Sequence, residues 1–151
     1  MPDHDVFTPS EAILLNGTRF AKSSDPLHVI PLPLPGELFV DEKDLAIIML
    51  TAAFYSNIKS GFLCIRKMQQ KSILQDDPFM VSLVPSNQAS WPKDTLEYAL
   101  HMCFRQHSGG ELTLFQLFNN AFPRPVYDSP WRDIGWGVCN GLYQRNLLNA
   151  E

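Results

Sequence analysis

The sequence predicts a mostly α-helical α+β domain in which about five helices pack round a central apolar helix beside one small β-hairpin. Three observations carry this. Helix-start signatures occur at Thr8-Pro9-Ser10-Glu11, Asp41, Trp91-Pro92, Thr113-Leu-Phe-Gln116 and Ser129-Pro130, where side chains or proline deal with the backbone donors that a first turn leaves open. An uncharged apolar run extends from Leu45 to Tyr55, which places a helix inside a fold. A β-like stretch from Phe62 to Met68 is answered by another from Phe79 to Val84, as in a hairpin. A chain of 151 residues, 45% hydrophobic and 19% charged, has the size and composition of one globular domain. Residues 1–151 are read as that domain, with 1–7 flexible.

The first helix opens at Thr8, where Glu11 completes a capping box and Pro9 takes the first helical position, at which its missing N–H is no loss. It stops near Gly17. Residues 23–40 contain Pro26, Pro31, Pro33 and Pro35, which hold the chain extended. Leu27, Val29, Ile30, Leu32 and Leu34 predict that this segment packs along the domain; the alternative is a flexible linker. Asp41 caps the second helix, with Glu42 and Asp44 in the first turn, where carboxylates complement the helix dipole. Gly61 ends it. The hairpin follows at once, with Gln69, Gln70 and Lys71 as its turn, while Asp76-Asp77-Pro78 interrupts the return arm. A helix followed directly by a hairpin is the helix-plus-wing order of winged-helix domains.

A third helix is expected from Trp91-Pro92 to about His107, with Leu96, Ala99, Leu100 and Cys103 inside and Gly109-Gly110 as its stop. Thr113 and Gln116 form a second capping box, flanked by Leu112 and Leu117 at the spacing of a hydrophobic staple. That short helix ends near Ala121. Ser129-Pro130 opens a last helix with Trp131, Ile134, Val138 and Leu142 on its inner face. This helix also holds Gly135, Gly137 and Gly141, each costing roughly 1 kcal/mol relative to alanine. Gly137 and Gly141 lie four apart on one face, which suits close packing against another backbone, the central helix first of all. A ligand lying on that bare face is the sharper alternative.

The net charge of -4 offers no broad attraction to a polyanion, so nucleic acid is disfavoured. The Leu45–Tyr55 run is well short of the ~20 residues that span a bilayer. No signal-like stretch follows Met1, and cytoplasmic residence is the default expectation. Cys64, Cys103 and Cys139 are odd in number with apolar neighbours, and are expected as reduced core residues. His101 and Cys103 point about 200° apart on a helix, so they form no nucleophile–base pair. No zinc-type ligand spacing, phosphate-binding glycine loop or nucleophile elbow is present. No cofactor is implied, and the reading leans away from an enzyme. One window, residues 45–75, contains Lys59, Arg66, Lys67 and Lys71 and no acidic residue. It predicts a small positive patch for an anionic group or acidic partner, the plainer account being a solvated wing that keeps an edge strand from pairing.

The element order has a parallel. Lys-Ser-Gly-Phe-Leu-Cys-Ile at 59–65, Met80-Val-Ser-Leu-Val-Pro85, Asp94-Thr-Leu-Glu-Tyr-Ala-Leu100 and Leu142-Tyr-Gln-Arg-Asn-Leu-Leu148 resemble, over roughly residues 8–148, the Golgi phosphoprotein 3 family. The resemblance implies a helical domain that binds a phosphoinositide head group and serves as a peripheral membrane adaptor for glycosyltransferases, without enzymatic activity. Of the family's pocket, Arg132 matches the first of two arginines three apart, and Gly135 stands at the second. The central helix carries neither tryptophan nor arginine, and the family's membrane-inserting hairpin has no counterpart before Glu151. The expected function is a non-enzymatic adaptor that contacts an anionic lipid or acidic partner through Arg132, Lys59, Arg66, Lys67 and Lys71. A winged-helix interaction or regulatory domain and a small enzyme are the alternatives.

Overall fold

The computed structural model describes residues 6–22, 27–33, 39–67, 79–84, 91–105, 111–121 and 129–148. α1 (Pro9–Leu15) starts at Thr8, whose N–H donates to the Glu11 carboxylate at 2.8 Å. After a 3-10 turn at Gly17–Arg19, two short strands, β1 (Val29–Pro31) and β2 (Phe39–Asp41), pair antiparallel with Ile30 opposite Val40. Ile30, Leu32 and Val40 are buried while Leu27 is exposed. The proline-rich segment is thus partly a two-stranded sheet, and residues 23–26 and 34–38 lie outside the described residues.

α2 (Glu42–Lys59) is capped by Asp41, whose Oδ1 accepts the Asp44 N–H at 2.9 Å. It ends in a Schellman turn: Phe62 N–H donates to the Asn57 carbonyl at 2.9 Å and Gly61 N–H to that of Ile58 at 3.0 Å. Gly61 has φ 76°, which glycine adopts without steric cost. β3 (Leu63–Lys67) and β4 (Phe79–Leu83) form the hairpin, with Leu63 opposite Leu83 and Lys67 opposite Phe79. Its expected turn, with Lys71 and Asp76-Asp77, is outside the described residues.

α3 (Leu96–Arg105) begins five residues later than Trp91. Asp94 has φ 65°, which no α-helix accommodates, and Thr95 supplies the cap by accepting the Tyr98 N–H at 3.2 Å. Leu96 and Leu100 are buried as expected, but Ala99 is exposed and Glu97 and His101 take inner positions. β5 (Glu111–Thr113) extends the hairpin into a three-stranded antiparallel sheet, order β3-β4-β5, with Val81 opposite Leu112. α4 (Leu114–Ala121) carries both halves of its capping box, Thr113 N–H to Gln116 Oε1 at 3.0 Å and Gln116 N–H to Thr113 Oγ1 at 3.1 Å. α5 (Pro130–Gln144) opens at Ser129, whose Oγ accepts the Arg132 N–H at 3.4 Å.

α2 touches α1, α3, α5, β2 and β3. Leu45, Ala46, Met49, Leu50 and Ala53 enter the core, whereas Ile47 is 42% and Tyr55 62% exposed. The apolar run is therefore not enclosed all round: the helix keeps an outer face. Ile134, Val138 and Leu142 of α5 and Leu63, Val81 and Leu112 of the larger sheet complete the core. Among the described residues no helix is long and apolar enough to cross a membrane. All three cysteines are free thiols, and Cys64, expected inside, faces out on β3.

Candidate functional site

The turn before α3 is seated on α5. Trp91 Nε1 donates to Asn57 Oδ1 at 2.9 Å, and its ring meets Phe62 edge-on at 5.8 Å. Thr95 Oγ1 donates to the Pro92 carbonyl at 2.7 Å. So anchored, the turn brings the Asp94 carbonyl against Gly141 so closely that a Cβ built on Gly141 would lie 1.9 Å from that oxygen. The backbone that approaches Gly141 is therefore this turn, not α2. Gly135 meets the Ile30 side chain instead, at 2.4 Å from a notional Cβ, and Gly137 meets nothing within 4 Å.

The open space at Gly137 belongs to a cleft of about 240 Å³ between the start of α3 and the length of α5. Leu96, Ile134 and Val138 give it an apolar lining, with Ala99 and the bare backbone of Gly137 and Gly141. Its polar lining is Asp94, Asp133, Asn140, Gln144 and Thr95. Among the described residues, no lysine, arginine or histidine lines it.

The four candidate cations among the described residues are not gathered into such a site. Arg132 Nε donates to the buried Glu42 carboxylate at 2.8 Å, and its Nη2 to the Leu27 carbonyl at 3.4 Å. It thus ties α5 to the start of α2. Gly135 packs on Ile30. Arg66 is bound through Nε and Nη2 to Glu111 across the sheet, at 3.1–3.2 Å. Lys59 and Lys67 are exposed at the ends of α2 and β3, and Lys71 lies outside the described residues.

A buried polar cluster was not legible in the sequence. Glu97, fully buried, accepts from both the Ser10 N–H and the Ser10 hydroxyl at 2.9 Å. Beside it, Glu11 receives the Arg145 guanidinium, which also donates to the Val6 carbonyl at 2.9 Å. Burial pushes the Glu97 carboxyl above the usual carboxylate range, and the Ser10 bonds pull in the opposite sense. A glutamate in a helix's first turn ordinarily complements that helix's own dipole; nothing local marks Glu97 as serving the start of α1.

His101 is buried edge-on to Phe62, at 6.2 Å between centroids. Burial pushes the Cys103 and Cys139 thiols up, opposite to the shift that activates a nucleophile. No group of three His, Cys, Asp or Glu side chains among the described residues could hold a metal ion. No family model, curated protein or solved structure matches the chain. The cleft and the two exposed lysines are the surfaces from which a function can be argued.

Proposed function

We propose that this chain is a non-enzymatic binding module whose ligand-facing surface is the cleft between α3 and α5. One observation supports this above the rest. Gly137 weakens its helix by roughly 1 kcal/mol relative to alanine, yet no neighbour lies within 4 Å of where its Cβ would be. Packing does not account for the residue, whereas keeping the cleft floor open does. A small concave site with an apolar lining and a few polar groups is the usual form of a ligand pocket. Titration with 1-hexanol, followed by amide chemical shifts, is expected to move Leu96, Gly137 and Gly141 saturably, and Gly137→Leu to abolish the response. Scattered shifts, or an unchanged response in Gly137→Leu, would remove this reading.

A second reading follows the resemblance to the Golgi adaptors. Lys59 and Lys67 are exposed on the acid-free window, and they suit an anionic lipid head group or an acidic protein surface. Flotation with vesicles rich in anionic lipid is expected to weaken in Lys59→Ala/Lys67→Ala and with added salt; indifference to both ends this reading. Because Arg132 is bound to Glu42, Arg132→Ala reports on folding before it reports on lipid.

A further inference from the structure

α2 carries apolar residues on its outward face as well as on its inward one. The inward side holds Leu45, Ala46, Met49, Leu50 and Ala53, and the side opposite such a stripe is ordinarily polar and charged. Here it holds Ile47, Ile48, Thr51, Ala52 and Tyr55, with Ile47 42% and Tyr55 62% exposed. No charged residue occurs from position 45 to position 58, which is roughly 20 Å of helix. The Thr51 hydroxyl donates back to the Ile47 carbonyl at 2.7 Å, and that of Ser56 to the Ala52 carbonyl at 2.6 Å. Both donors are therefore used within the helix. Charge returns on this face only at its ends, with the exposed Asp44 and Lys59; Lys43 lies to the side, over the Trp131 ring at 6.0 Å.

We infer that this face is an interface between two copies of the chain, which pair through α2 in antiparallel fashion about a two-fold axis. A two-fold interface has to be complementary to itself. The stripe on α2 meets that condition, being acidic at one end, basic at the other and uncharged between. Asp44 and Lys59 are equally far from a point between Thr51 and Ala52, as are Ile48 and Tyr55. With the axis at that point, Asp44 of each copy comes level with Lys59 of the other, and Ile48 with Tyr55.

Charge fixes the orientation. Parallel alignment sets Asp44 on Asp44 and Lys59 on Lys59, whereas antiparallel alignment brings opposite charges together twice and lays the two helix dipoles head to tail. Thr51 and Ala52 are the small residues at the axis, where two helices approach most closely. The apolar side chains to either side supply the affinity, and the charged ends supply the register. The inference is independent of the cleft, which lies between α3 and α5.

Sedimentation velocity of the whole chain over a concentration series tests this. The wild type is expected to pass from monomer to dimer as concentration rises. Asp44→Lys and Lys59→Asp, each alone, turn two attractions into two repulsions and are expected to raise the dimer dissociation constant about tenfold. Mixed in equal amounts, these two variants are expected to associate about as tightly as the wild type, since each then meets opposite charge at both ends. Thr51→Glu exchanges an exposed residue for a better helix former; it is expected to keep the urea midpoint of the wild type and to abolish the dimer by bringing two carboxylates together beside the axis. A wild type that stays monomeric up to about 1 mM overturns the inference and leaves the face to a different protein. A dimer that persists in Thr51→Glu, or charge variants that do not associate on mixing, overturn it as well.

Discussion

Gly135, Gly137 and Gly141 occupy one helix and three unlike surroundings. At Gly141 a methyl group would run into the Asp94 carbonyl, at Gly135 into the end of the Ile30 side chain, and at Gly137 into open space. Backbone cannot move aside as a side chain can. Alanine is therefore expected to stabilise at position 137 by up to about 1 kcal/mol, to cost little at 135, and to cost about 2 kcal/mol or more at 141. Urea denaturation of the three variants checks the order. Glu97 gives a second prediction at this scale. Its folded-state pKa is raised, by burial above all, so the folded protein holds this proton more tightly than the unfolded chain does. The resulting stability is fully present below the ordinary carboxylate range and is lost as pH rises through that range to the raised value. Glu97→Gln keeps an acceptor for the Ser10 N–H and removes the titration. Its stability is expected to fall less than that of the wild type as pH rises above the ordinary carboxylate range; parallel curves would show that Glu97 is not the group responsible.

At the scale of elements, α5 is fastened at both ends by ion pairs to helix starts: Arg132 to Glu42 of α2, and Arg145 to Glu11 of α1. Each glutamate complements its own helix dipole and receives a cation from another element. Removing Arg132 leaves Glu42, 3% exposed, without its partner. The expected loss is about 3 kcal/mol, at the low end for a buried pair because Arg132 keeps some contact with water. A double-mutant cycle of Arg132→Met and Glu42→Gln should recover part of it, and purely additive losses would mean that the pair is not coupled. The helix starts at Thr8, Asp41, Thr113 and Ser129 were legible in the sequence because each cap and its target lie within one turn. Gly61 was legible for the same reason. The strands β1, β2 and β5 were not, since three residues carry no period and their partners are supplied by the fold. Trp91-Pro92 resembles a helix start, but the αL turn at Asp94 that delays α3 is fixed by Asn57 and Gly141, which are far off in sequence. The glycines of α5 marked half of the cleft; Asp94, on the opposite wall, had no local sign.

For the whole molecule, three arginines serve as ties between distant parts of the chain. Arg132 and Arg145 join helices, and Arg66 joins two strands, each by holding a glutamate. The pair between Glu11 and Arg145 spans 134 positions, close to the full length of the chain. As the polypeptide leaves the ribosome, Glu11 is made long before the guanidinium that pairs with it. Until Arg145 is in place, burying α1 would leave the Glu11 carboxylate without its cation, which is costly. A chain stopped before Arg145 is expected to show a collapsed amide spectrum, where retained dispersion would place folding earlier. The docking of the first helix is thus expected to depend on a residue at the far end of α5.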